Sequence, residues 1–190
     1  MLQNDIVLAF KELGWQTGKD EGGDNFAILD LGDILLQTIP RLRPITGGKT
    51  LDYGGSISTP EFTNTVAKIF SRKEFHASLI VGWELKPLRQ PDFTFEDIRA
   101  LSTRLIEWAK SQDVDAALKR LRESRTDSKG TEPLYHLAAL ALAGDVDKLD
   151  YYQRSFEAGD RLGFVPYISK EMIDRAVEIA KDTSSRISTE

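Results

Sequence analysis

The stretch "FHASLIVGWELKPLRQPDFTFEDIRALSTRLIEWAK", residues 75–110, contains the change of pattern that decides the fold. Up to Leu85 the apolar residues alternate. Phe75, Ala77, Leu79, Val81, Trp83 and Leu85 fall on one side, and His76, Ser78 and Glu84 fall on the other with Ile80 among them, which predicts a β-strand over 75–85. Past Pro91 the apolar period becomes about 3.6. Ile98, Leu101, Leu105 and Trp108 then share one face of a helix, and Thr94 with Asp97 gives it a capping-box start. Trp83 and Trp108, on either side of the change, are expected in the core.

The residues before this point read as strand-rich. A first helix is expected over 4–13, capped by Asn4 or Asp5 and stopped by Gly14. The polar "TGKDEGGDN" that follows reads as a loop. "FAILDLGDILLQTIPRL" then gives two β-type runs around Gly32-Asp33, a pair suited to a tight hairpin turn. "RPITGGKT" reads as a turn-rich link, "LDYGGSI" as a short strand, and "STPEFTNTVAKIF" as a helix with Ser58 or Thr59 as cap and Pro60 in its first turn.

The residues after it read as helices only. Asp113 starts a helix carrying Val114, Ala117, Leu118 and Leu121. Three more are expected at 133–143, 146–158 and 170–182, the last capped by Ser169, with a loose "DTSSRISTE" tail. "EPLYHLAALALAGDVDKLDYYQ", 132–153, has the flavour of an ankyrin unit but occurs once and is one residue out of step, so it predicts a helical hairpin turned at Gly144 and not a repeat array. The fold class is therefore α+β: an N-terminal antiparallel sheet with flanking helices over 1–92, then an all-helical half over 93–190, expected to pack as one compact unit.

Composition narrows the function classes. With 41% hydrophobic and 29% charged residues the 190-residue chain can bury a real core. There is no cysteine, which removes disulfides, thiolate nucleophiles and cysteine-held metals. The net charge of −5 is spread along the chain: residues 1–95 hold 10 basic against 12 acidic side chains, and 96–190 hold 15 against 18. An even acidic balance argues against nucleic acid. The basic run "LKRLRESR", 118–125, fits the solvated face of a helix, because Leu118 and Leu121 supply its apolar stripe. No basic leader or apolar run of membrane-spanning length is visible, so a cytoplasmic protein that avoids membranes is expected.

"GGKT", 47–50, lacks the earlier glycine of a phosphate-binding loop, since Arg43 stands there, and a strand follows it instead of a helix. "GGSIS", 54–58, lacks the second glycine of a nucleophile elbow. "DVDKLD", 145–150, puts Leu149 at a calcium-ligand position and fits an acid-rich helix start. Asp30 and Asp33 flank a turn, where acids are common. His76 reads as a surface histidine and His136 as a structural one. Catalytic, cofactor-binding and metal-ligating sites, and any cofactor, are accordingly expected to be absent.

One segment is too apolar for a solvated connection. "GDRLGFVPYIS", 159–169, joins two helices with Leu162, Phe164, Val165, Tyr167 and Ile168. It reads either as a lid on the helical core or as a recognition patch of Tyr151, Tyr152, Arg154, Arg161, Phe164 and Tyr167.

The order helix, hairpin, strand, helix, strand and long helix in a small acidic chain resembles bacterial toxin-immunity proteins and the chaperones that escort secreted effectors. The tail from Tyr135 to Ala180 is similar to proteobacterial proteins of the immunity-like kind. The resemblance implies a non-enzymatic cytosolic protein-binding module that neutralises a toxin. A secretion-chaperone-like protein and an enzyme of unrecognised type are the alternatives. The partner would be a protein, and a homodimer is compatible with the reading.

Overall fold

The computed structural model describes residues 1–20, 22–71, 78–84 and 86–187, with Glu84 described by its backbone only. It is α+β, with an antiparallel sheet in the N-terminal half and helices in the C-terminal half. Phe75, His76, Ala77 and Leu85 of the expected strand, and the last three residues of the expected loose tail, lie outside the described residues. The chain forms two compact units that do not follow sequence order. One comprises Met1–Pro60 with Phe75–Asp113, the other Glu61–Glu74 with Val114–Glu190.

The first unit begins with α1 (Gln3–Glu12). Its cap geometry differs from the expectation at Asn4 or Asp5: Leu2 stands at the cap and donates its N–H to Asp5 Oδ2 at 2.6 Å, so Asp5 works from inside the first turn. Gly14, at φ +89°, ends the helix as expected. A five-stranded antiparallel sheet follows, in the order β1 (Gln16–Lys19), β2 (Asn25–Asp30), β3 (Leu35–Thr38), β6 (Gly54–Ser58), β7 (Val81–Glu84). The β2–β3 turn is the Gly32-Asp33 pair, closed by Leu31 N–H donating to Ile34 O at 2.9 Å. Gly32 sits at φ +93° and donates its N–H to Asp30 Oδ1.

Four strands, β1 and the three of a second sheet, lie wholly or partly where the sequence reading expected none. β1 occupies the expected loop, because pairing with β2 supplies its hydrogen bonds and the Phe26 ring covers the bare Gly18, where a β-carbon would come within 2.6 Å. The expected link is a hairpin, β4 (Arg41–Ile45) and β5 (Gly48–Asp52), turned at Thr46-Gly47 with Gly47 at φ +81°. Together with β8 (Leu88–Gln90) it forms a separate three-stranded sheet, β4-β5-β8. The single strand expected over "LDYGGSI" is thereby divided between two sheets at Tyr53.

Helix α3 (Phe95–Lys110) has the expected capping box, with Asp97 N–H on Thr94 Oγ1 at 3.3 Å and Thr94 N–H on Asp97 Oδ2 at 2.7 Å. The period groups it with the later helices, yet it packs on α1, β3 and β6 and belongs to the sheet unit. Ile6, Phe10, Leu36, Ile57, Ile98, Leu101 and Leu105 are buried there. Phe10 meets Trp15 edge-on at 5.1 Å, and Trp15 Nε1 donates to Ser102 Oγ at 2.9 Å, so the buried indole has its partner.

Trp83 and Trp108 depart from the expectation of full burial. Their rings stack at 5.1 Å with 25° between planes, and each is only partly covered. Among the described strands β7 lies at the end of the sheet order, next to β6. Leu79, expected on the buried side, is 42% exposed, while Ile80 is buried and donates its N–H to Ile57 O at 2.8 Å. Beneath the tryptophans lies Gly55, where a β-carbon would stand 2.9 Å from Trp108 Cζ3 and 3.1 Å from Leu105 Cδ2. Gly55→Ala is expected to cost about 1–3 kcal/mol through overpacking, read as an earlier urea midpoint in tryptophan fluorescence. An unchanged midpoint would mean that α3 can lift freely from β6.

The second unit gathers α2 (Pro60–Phe70), α4 (Val114–Glu123), α5 (Glu132–Leu142), α6 (Val146–Glu157) and α7 (Lys170–Ile187). α5 is buried along nearly its whole length, because its alanines let neighbouring helices come close. Gly144, at φ +66°, and Asp145, whose Oδ1 accepts Lys148 N–H at 3.2 Å, make the expected turn between α5 and α6. α7 packs on both, and continues to Ile187 through most of the segment expected to be loose. The Phe62 ring meets Tyr135 at 5.6 Å, and Arg175 Nε donates to Ile69 O at 2.8 Å, so α2 is held by α5 and α7.

Candidate functional site

The recognition patch expected from sequence is built around a buried histidine. His136, on α5, is fully buried. Its Nδ1 lies 2.8 Å from Leu121 O, at the last turns of α4, and its Nε2 lies 3.0 Å from Tyr152 Oη on α6. A carbonyl can only accept, so Nδ1 carries the proton and Nε2 accepts from the tyrosine hydroxyl. One neutral ring thus ties three helices. Burial pushes the imidazole below its ordinary value of 6.5, with Lys148 adding to the effect, against the Leu121 carbonyl and the Glu132 and Asp145 carboxylates. Burial, with the Asp145 carboxylate, pushes the Tyr152 phenol up to about 12.

Tyr152 and Phe164 are corrected by this geometry. Both are almost fully buried, with rings in edge contact at 5.3 Å, and Phe164 also meets Phe156 at 5.8 Å. They cannot touch a partner without unfolding the unit. Of the two readings of the 159–169 segment, the lid on the helical core describes Phe164 and Ile168.

Arg161 is exposed but occupied. Its Nη2 donates to Val165 O at 2.9 Å and Ile168 O at 2.8 Å, and its guanidinium lies over the Phe156 ring at 5.1 Å. It folds the segment onto itself. Leu162 (φ +52°) and Gly163 (φ +81°) take left-handed backbone in succession, with Asp160 Oδ1 accepting Leu162 N–H at 2.8 Å and Thr126 Oγ1 donating to Leu162 O. Tyr167 keeps 41% of its surface exposed, donates its hydroxyl to Gly130 O at 2.9 Å and meets Phe70 edge-on at 6.5 Å. It belongs with the 126–130 connection and α2, not with the other aromatic residues.

What remains at the surface is Tyr151 with Arg154. Both are on α6, three residues apart, and therefore share a face. Tyr151 is 52% exposed, yet its ring rests 5.9 Å from that of Tyr152. The anchored Tyr152 therefore orients an exposed phenol at little entropic cost.

The remaining motifs have ordinary roles. Lys49 of "GGKT" bonds Asp92 at 2.9 Å, and Asp92 also holds the Met1 amino group at 2.7 Å. The two cations keep the Asp92 carboxyl far below the usual range. Asp145 of "DVDKLD" caps α6, and Asp150 pairs with Lys181 at 3.5 Å. In "LKRLRESR" Leu118 and Leu121 are half-buried and Lys119 and Arg120 exposed, as a solvated helix face requires. Among the described residues, no three His, Asp or Glu side chains converge as metal ligands, and no helix is long and apolar enough to cross a membrane. His76 lies outside the described residues.

A second feature, in the sheet unit, escaped the sequence reading. A groove of about 520 Å³ lies beside β7, lined by Thr38, Ile39, Gly54–Ser56, Leu79, Gly82 and Trp83. All are uncharged. Its signal in the sequence is the uncharged run Leu79–Trp83, which the alternation argument assigned to an ordinary strand.

No curated protein and no solved structure matches the chain. A family model described as "Family of unknown function (DUF6990)" matches residues 2–181, nearly the whole chain, and the protein belongs to that family.

Proposed function

We propose that the chain is a non-enzymatic cytoplasmic module that binds a protein partner stoichiometrically, with Tyr151 and Arg154 on α6 at the contact. The observation that carries this reading is the half-exposed Tyr151 ring, supported from beneath by a tyrosine that a buried histidine holds in place. Tyrosine and arginine are enriched among the residues that dominate protein interfaces, and an anchor ordered beforehand loses little freedom on binding. Toxin neutralisation is the form of binding that the immunity-like resemblance implies.

A secretion-chaperone-like role is the second reading. It is supported by one observation: residues 1–60 and 75–113 make a compact unit of helix, antiparallel sheet and helix.

The test is capture of a partner from cytosol of the source organism, followed by calorimetric titration of the purified pair. Saturation at a fixed stoichiometry is expected. Tyr151→Ala should weaken the complex about 30-fold or more, the conversion of a 2 kcal/mol hot spot, with an unchanged melting curve. Unchanged affinity would move the contact off α6, and substrate turnover abolished by a single side-chain change would replace the binding reading with an enzymatic one.

A further inference from the structure

α4 is held on the helical unit by its end more than by its face. Its apolar stripe is Val114, Ala117, Leu118 and Leu121, yet Ala117 is its one buried residue, while α7 buries five, α2 four and α6 two. The smallest member of the stripe therefore carries the full burial, and packing alone docks α4 weakly on α5.

The rest of the attachment is polar and sits at the C-terminal end. The last four carbonyls of a helix have no partner in its regular ladder. Two of them accept here from other helices: Leu121 O from His136 Nδ1 at 2.8 Å, and Arg122 O from Lys148 Nζ at 2.9 Å. Ser124, just past the helix, donates its hydroxyl to Glu132 Oε1 at 2.8 Å. α5 and α6 thus grip α4 over four residues of chain.

The charges around that grip oppose one more positive charge. A groove of about 460 Å³ is lined by Lys119, Arg122 and Glu123 of α4, Ala143, and Asp145 and Lys148 of α6, so three cations share it with two carboxylates. The Leu121 carbonyl and the Glu132 and Asp145 carboxylates favour a charged His136 ring, but burial, aided by Lys148, outweighs them. Tyr152 fills the Nε2 side and α4 covers the Nδ1 side. Lifting α4 admits water to the ring and parts Lys148 from Arg122, so the open form takes a proton more readily than the docked one.

We propose that α4 is a latched helix: it undocks as one piece while α2, α5, α6 and α7 stay packed, and protonation of His136 opens the latch. Undocking uncovers the surface of Ala139, Leu142 and Ala143 that α4 now faces. The device does not depend on the Tyr151 contact.

Native-state hydrogen exchange on the full chain tests it. Amides of 118–123 should be at least about a hundredfold less protected than those of 172–180 in α7, and their exchange should respond little to low urea, the mark of a sub-global opening. Below pH 6.5 their protection factors should fall by up to about tenfold per pH unit, the slope of one proton taken up on opening. Lys148→Gln, at a half-buried position, should lower α4 protection about tenfold at neutral pH and keep the acid response. His136→Gln should remove that response. Exchange of α4 only together with α7, in the urea-dependent global transition, overturns the proposal. So does α4 protection that stays level as pH falls, an acid response that survives His136→Gln, or exchange indifferent to Lys148→Gln. If circular dichroism shows His136→Gln unfolded, the unsubstituted chain and Lys148→Gln decide the question.

Discussion

Replacing His136 by alanine is expected to lower the stability of the helical unit by about 3–5 kcal/mol. The change removes a fully buried ring and strands both of its partners, the Leu121 carbonyl and the Tyr152 hydroxyl. Cavity formation at a buried large side chain typically costs about 2–5 kcal/mol, and a buried group left without its hydrogen bond about 1–3 kcal/mol. The terms overlap, so their sum is an upper bound. The three tryptophans, Trp15, Trp83 and Trp108, all lie in the sheet unit, which allows the loss to be localised. Circular dichroism at 222 nm should show the early transition, and tryptophan fluorescence should change less. A loss below about 1 kcal/mol would mean that water or rotated neighbours replace the ring.

The same residue gives the unit a pH dependence of definite sign. The folded histidine is held below its ordinary value of 6.5, so the unfolded chain binds the proton first as pH falls. Stability is therefore level above about 6.5 and declines as pH drops from there toward the folded value. Protonation would also put a second donor at Nε2, facing the Tyr152 hydroxyl that already donates to it. His136→Gln should remove this part of the slope below pH 6.5 while keeping some hydrogen bonding. An unchanged slope would assign the acid sensitivity to carboxylates instead, Asp92 and Asp97 being lowered by their own partners.

Phe164→Ala should also cost about 3–5 kcal/mol of stability, and should leave the partner affinity of the folded fraction unchanged. Its ring is 96% shielded, since only 4% is exposed, and it fills the space between Tyr152 and Phe156. Removing it opens a cavity beneath a segment held in left-handed backbone at Leu162 and Gly163, where collapse is restricted by the Arg161 and Tyr167 bonds. Urea melts of Phe164→Ala and Tyr151→Ala separate the roles: the first should shift the midpoint strongly, the second hardly at all. Equal shifts would show that Tyr151 is part of the core packing.

The recognition patch was legible in part. Composition picked out 159–169 as too apolar for a loop, and four of the six contact residues proposed around it are exposed. It could not separate Tyr151 from Tyr152, because adjacent residues on a helix point about 100° apart and only the neighbours decide which is covered. Arg161 looked like an interface arginine, and instead satisfies carbonyls of its own loop. No pattern in the sequence could join His136 to Tyr152, sixteen residues on, before α5 and α6 were turned back on each other at Gly144.

The sequence by itself determined the fold class and which segments are helices, since period, caps and glycine stops are local properties. The change from alternation to a 3.6 period near Pro91, the Gly32-Asp33 turn, and the starts at Thr94, Asp145 and Ser169 were all readable, because their geometry depends on residues within one turn of each other. Tertiary structure decided which elements go together. Gly18 and Thr46-Gly47 became parts of strand pairs only because distant backbones supplied the hydrogen bonds. α3 joined the sheet unit and α2 the helical one because burial is settled by the complementary surface an amphipathic stripe finds, such as Gly55 beneath Trp108 or Tyr135 against Phe62. A stripe records that a helix has a buried face and leaves unstated what buries it, which is why the two units cross the sequence order that the pattern implied.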